Sequence, residues 1–111
     1  MIYAIDFDGT IVEDKYPEIG ELDRIAEKFI RELKKNGHIF ILNTCRHGQS
    51  LNDAFNFLYD HNLIPNLVNQ NVPELIEKFG DCRKIYADYY IDDHNPGGVR
   101  WPWETLKEKK L

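Results

Sequence analysis

A chain of 111 residues is one domain by length, long enough for a core that needs no staples. Hydrophobic content of 42% beside 30% charged residues is ordinary for a globular protein and excludes a disordered chain. The formal net charge of −5 argues against a domain that coats a long nucleic acid, but leaves room for a small phosphorylated substrate held by a local metal.

The two cysteines, Cys45 and Cys82, form no CxxC pair and are read as reduced thiols. No stretch reaches transmembrane length, and the N-terminus carries no basic region followed by an apolar run and a cleavage site. The expected compartment is the cytoplasm, with no membrane contact.

Ile2-Tyr3-Ala4-Ile5 is a continuous apolar run that suits a strand buried on both faces. A polar stretch from Glu13 to Gly20 follows. From Glu21, Leu22, Ile25, Ala26, Phe29, Ile30 and Leu33 recur at offsets of three and four, which predicts the inward face of an amphipathic helix. Lys34 and Lys35 occupy its last turn and Gly37 stops it. His38–Leu42 reads as a second buried strand. Gln49 to about Asp60 fits a second helix, with Leu51, Ala54, Phe55 and Leu58 inward and Ser50 as its cap. Leu67-Val68 is a short strand. Pro73 opens a short helix through Phe79, closed by Gly80. Ile85–Ile91 reads as a strand ending in Asp92-Asp93, residues 95–98 as a turn, and Pro102 to Lys110 as a terminal helix.

Strands alternating with helices predict a three-layer, Rossmann-like α/β domain over residues 1–111, a parallel sheet sandwiched by helices. In such sheets the sites lie beyond the carboxyl ends of the strands. Asp6 and Asp8, Thr44, and Asp92 with Asp93 all fall just past strand ends, so three elements converge on one crevice. Strand alternation points Asp6 and Asp8 the same way, and two like charges at close range repel. A hard divalent cation such as Mg²⁺ is the natural means of offsetting that repulsion.

Asp6-Phe7-Asp8-Gly9-Thr10, then Thr44 after a hydrophobic strand, then Lys84, then Asp92-Asp93 after another strand, resemble the four motifs of the haloacid dehalogenase superfamily, in that superfamily's order. The resemblance covers essentially the whole chain and implies a HAD-like Mg²⁺-dependent phosphatase. It casts Asp6 as the nucleophile that becomes an aspartyl-phosphate. Asp8 is cast as the general acid, then the base, and should be partly protonated when substrate binds. The metal ligands implied are Asp6, the Asp8 carbonyl and Asp92, with Asp93 beside them; the adjacent pair leaves open which of the two touches the ion. Thr44 and Lys84 are implied phosphoryl ligands, Lys84 also keeping Asp6 ionised. Gly9 and Thr10 shape the loop and join the substrate-binding group.

Larger members of that superfamily insert a cap domain after the first motif or after the third strand. Residues 11–20 and 62–84 leave room for no more than a loop and a short strand and helix, so no cap domain is expected. The open site suits a large phosphorylated substrate, a lid supplied by a partner or a second copy, or broad small-molecule specificity.

Arg46 has two readings: a fork on a substrate phosphate or carboxylate, or a solvated loop arginine. His47 and His94 read as surface histidines, and Cys45 as a small packed residue rather than a thiolate nucleophile. Trp101 and Trp103 either seal the terminal helix or line the crevice. The rival to the enzyme is a regulatory or binding module that keeps the metal site without turnover. A phospho-receiver domain fits less well, because its acidic pair and phospho-accepting aspartate come from different strands.

Overall fold

The computed structural model describes residues 1–81 and 84–95. Cys82, the Pro96-Gly97-Gly98 part of the expected turn, Trp101, Trp103 and the expected terminal helix lie outside the described residues. The elements are β1 (Ile2–Ile5), α1 (Arg24–Lys35), β2 (Ile39–Leu42), α2 (Gly48–Asp60), β3 (Leu67–Val68), α3 (Pro73–Phe79) and β4 (Tyr89–Ile91). The strands make one four-stranded sheet in the order β3-β2-β1-β4. Every pairing is parallel. This is a Rossmann-like α/β fold.

Strand order explains where the helices go. The connections β1 to β2 and β2 to β3 step in the same direction, so right-handed crossovers put α1 and α2 on one face. One apolar cluster accordingly joins Tyr3, Ile5, Phe40, Leu42 and Ile91 to Ala26, Phe29, Ile30 and Leu33 of α1 and to Ala54 and Leu58 of α2. Ala4 and Ile41 alternate to the opposite face and are buried too, so the sheet centre is covered on both sides. The step from β3 to β4 reverses direction and jumps over β2 and β1. That reversal makes the carboxyl ends of β1 and β4 the switch point, the usual binding crevice of such sheets. Among the described residues, no helix is long and apolar enough to cross a membrane.

Several boundaries differ from expectation, each for a local reason. α1 starts at Arg24 rather than Glu21, because Asp23 caps it: Asp23 Oδ1 accepts from Ile25 N at 2.8 Å and Ala26 N at 3.1 Å. Leu22 instead makes an antiparallel bridge with Val12, so residues 11–23 return on themselves as a tight loop. Gly20 permits that return, since a Cβ there would overlap the Glu13 carbonyl oxygen. Ile25, expected inward, is exposed in the first turn of α1. α2 begins at Gly48 with His47 as N-cap; Ser50 does not cap it but donates its hydroxyl to the His47 carbonyl at 2.8 Å. Phe55 is only half-buried, while Phe57 packs against the core.

β4 spans only its last three expected residues, Tyr89–Ile91. Upstream, Tyr86 N donates to Asn71 Oδ1 at 2.6 Å and Ala87 N to the Tyr90 hydroxyl at 3.1 Å, which removes those amides from the ladder.

Candidate active site at the sheet switch point

Parallel register sets the floor of the site. Ile5 pairs with Leu42 on one side and Ile91 on the other, so Asp6, Asn43 and Asp92 are the next residues at one sheet edge. Two further bonds carry the ladder past the strands: Asp6 N donates to the Ile91 carbonyl at 2.9 Å, and Asn43 N to the Ile5 carbonyl at 2.9 Å. Phe7 is fully buried in the core, which keeps Asp6 and Asp8 on the opposite side of the chain.

Asp6 is half-buried, and its pKa is pushed up to about 7. Burial is the largest cause and the Asp92 carboxylate the next; Asp93 and Asp8 add to it, against the backbone N–H of Phe7. Asp93 is raised as well, first by burial and then by hydrogen bonding to Asp92. Its Oδ1 is buried with no hydrogen-bond partner among the described residues. His94 Nε2 stands 3.7 Å from that oxygen, outside hydrogen-bond reach. Ligand atoms of Asp92, Asp93 and His94 lie within 4.8 Å of one another. Hard oxygen donors, mutual repulsion and an orphaned buried oxygen make a donor set that fits Mg²⁺.

Gly9 and Thr10 join the two acidic loops. Gly9 has φ +80°, and a Cβ on it would overlap Asp93 Oδ2. Thr10 is buried and its hydroxyl oxygen accepts from Asp93 N at 3.0 Å. Gly9 and Thr10 thus link the β1 and β4 loops, Thr10 from a buried position and Gly9 from a half-buried one.

Thr44 follows β2 as expected. Asn69, with φ +52°, supplies the side-chain oxygen that accepts Thr44 N at 2.8 Å. The Thr44 hydroxyl oxygen accepts from Arg46 N at 3.1 Å and its proton stays available for a ligand oxygen. Sequence reasoning missed Asn69, and also Asn71, which is buried and binds the Lys84 carbonyl and Tyr86 N. Three asparagines at 66, 69 and 71 just around a strand end were the available signal, since Asn side chains bond backbone groups and tolerate positive φ.

Arg46 departs most from expectation. It is neither a solvated loop residue nor free to grip a substrate, being 3% exposed. Its Nε donates to Asp8 Oδ2 at 2.7 Å and its Nη2 to Asp8 Oδ1 at 2.8 Å. That contact with Asp8 pushes the guanidinium pKa further up. Lys84 is exposed and makes no ion pair with a described residue, and no cation is among the causes acting on Asp6. Lys84 thus does not hold Asp6 ionised in this arrangement. Cys45, expected packed, is exposed. His47 and His94 are exposed as expected.

A solved structure of a conserved protein coded by a locus of Bacteroides thetaiotaomicron is similar to this chain over 100% of its length and 93% of that chain, at 39% identity and a TM-score of 0.86. This chain belongs to that protein's family. The overall α/β architecture is therefore shared with that protein. No protein-family model matches the chain, and no curated protein does.

Proposed function

We propose that this family member is a Mg²⁺-dependent phosphomonoester phosphatase of haloacid dehalogenase type, working through an aspartyl-phosphate on Asp6. One observation carries the reading: a half-buried carboxyl at the switch point of a parallel sheet, pushed up to about 7 first by burial and then by Asp92, with Asp93 and Asp8 adding to it. Arg46 neutralises Asp8, but the Asp6, Asp92 and Asp93 carboxyls still crowd one another, and perturbed groups of this kind mark functional sites.

Asp6, the Asp8 backbone carbonyl and Asp92 would hold the ion, with Asp93 Oδ1 as a further donor. Bound Mg²⁺ supplies the positive charge that favours the ionised form of Asp6 and neutralises phosphoryl oxygens. An oxygen of Asp6 then forms a bond to phosphorus as the bond to the leaving oxygen breaks, and Asp8 passes a proton to that oxygen. In the second half, water attacks phosphorus, its proton goes to Asp8, and the Asp6 carboxylate is released. The Thr44 hydroxyl and the Lys84 ammonium orient the phosphoryl oxygens, Lys84 by swinging in from its exposed position. Neither expected insertion point carries a cap domain among the described residues, which supports an open site for a phosphorylated substrate.

A second reading is a binding or regulatory module that keeps the metal site without turnover. Lys84 favours it, being exposed and without an ion pair among the described residues. Phosphate release separates the two. Wild type and Asp6→Asn are compared with and without Mg²⁺ over sugar phosphates, nucleotides and phosphopeptides. Mg²⁺-dependent release that disappears in Asp6→Asn supports the enzyme. Measurable Mg²⁺ binding with no release from any substrate sinks it in favour of the module.

A further inference from the structure

Arg46 is a buried charged group that the phosphatase mechanism above does not use. A guanidinium has five N–H donors. Here every one has an acceptor: Nε and Nη2 on Asp8, Nη1 on the carbonyls of Pro17 at 3.2 Å and Ser50 at 3.1 Å, and Nη2 also on the Glu18 carbonyl at 2.9 Å. The rings of Phe7 and Tyr16 lie 5.2 Å and 5.1 Å from its Cζ. Those partners come from the loop after β1, the 11–23 return loop and α2. No donor is left for a substrate.

A buried ion pair adds little net stability over an apolar replacement, so stability alone is a poor reason for this arrangement. Its distinctive effect is geometric. A two-pronged contact sets both oxygens of Asp8 and stops its carboxyl from turning. Each oxygen still keeps a lone-pair site, so Asp8 can exchange a proton while the fork stays in place. The backbone N–H of the same arginine fixes the Thr44 hydroxyl oxygen. We propose that Arg46 is the positioning residue of this site: it holds the Asp8 carboxyl at the angle needed to meet the leaving oxygen and straps residues 16–18 beside it as the rim of the open site. This inference rests on the phosphatase reading and deepens it.

The test is Arg46→Lys in the full chain, with a second variant, Tyr16→Leu. Lysine keeps the charge but offers a point donor instead of a fork. Steady-state kinetics use the best alkyl monoester of the wild-type panel; single-turnover nitrophenol release uses p-nitrophenyl phosphate. Misplacing a reacting group by about 1 Å typically costs on the order of 100-fold, so kcat on the alkyl ester should fall about 100-fold in Arg46→Lys. KM should move by no more than about threefold, because the phosphoryl ligands are untouched. The deficit on p-nitrophenyl phosphate should be about tenfold smaller, since that leaving group departs without a proton.

Equal deficits on the two substrates, or a kcat within about threefold of wild type, overturn the positioning role. Should Arg46→Lys fail to fold, Tyr16→Leu decides: Tyr16 is 56% exposed, so the fold tolerates its replacement, and the same leaving-group bias is expected at about fivefold. Its absence overturns the inference. A wild-type protein that releases no phosphate overturns the phosphatase reading itself, and the catalytic part of this inference with it. An active wild type with an indifferent Arg46→Lys overturns this inference alone.

Discussion

Gly9 and Asp93 share a space that only one of them can fill. The Gly9 backbone takes φ +80°, and a methyl group on its Cα would overlap Asp93 Oδ2. The bond from Asp93 N to the Thr10 hydroxyl locks the same two loops from the other side. The first acidic loop is thus shaped to admit Asp93.

Gly9→Ala should be among the most damaging small substitutions. Left-handed backbone at a non-glycine costs about 1–3 kcal/mol, before Asp93 is displaced. Urea unfolding should show at least that loss. On the phosphatase reading, in which Asp93 helps hold Mg²⁺, affinity for that ion by calorimetry should fall about 10- to 100-fold, the usual effect of disturbing the support of a metal ligand. Unchanged stability and affinity would refute the fit between the two loops.

Asp6→Asn should separate stability from activity. The folded pKa of Asp6, about 7, lies above its ordinary value of 3.8, so the fold favours the protonated form. The associated stability is complete below about 3.8, falls as pH rises toward 7, and is gone above it. Asparagine keeps the shape without the charge. In EDTA, Tm of the variant should therefore exceed that of wild type at pH 8, with a smaller gap at pH 5. A gap that does not change with pH would show that Asp6 is not strained by its neighbours.

Asn69 should prove more important than its place in a short loop suggests. Its φ of +52° suits Asn or Gly, and its side chain alone accepts Thr44 N. Asn69→Gly keeps the backbone and loses the bond; Asn69→Ala loses both. Stability should fall by about 1 kcal/mol in the first and further in the second. On the phosphatase reading, KM for the phosphorylated substrate should rise several-fold in both. Equal stability of the two variants would remove the backbone part of this account.

Much of the fold is legible along the chain because its signals are local. Ile2–Ile5, Leu67-Val68 and the helix between Pro73 and Gly80 match their expected bounds. Apolar runs, a proline at a first turn and a glycine after a last one act over a few residues. Errors arise where one residue answers to two demands. Leu22 fits the helical spacing but bridges to Val12, because Asp23 is the better cap. Ile85–Ala87 reads as strand, but nearby side chains take its amides.

The sequence by itself determines that hydrophobic strands alternate with helices and that carboxylates follow the strand ends, since periodicity and chain order are local and survive any folding outcome. Register in a parallel sheet then brings Asp6 beside Asp92. What only the tertiary structure decides is who pairs with whom. Arg46 lies 38 residues from Asp8, and only the folded geometry turns an ambiguous loop arginine into a fork on that carboxylate. The same holds for Lys84, whose charge is visible in the sequence but whose distance from Asp6 is not. Periodicity orders residues along an element, whereas a hydrogen bond depends on direction and distance between elements, and those exist only once the sheet has closed around its core.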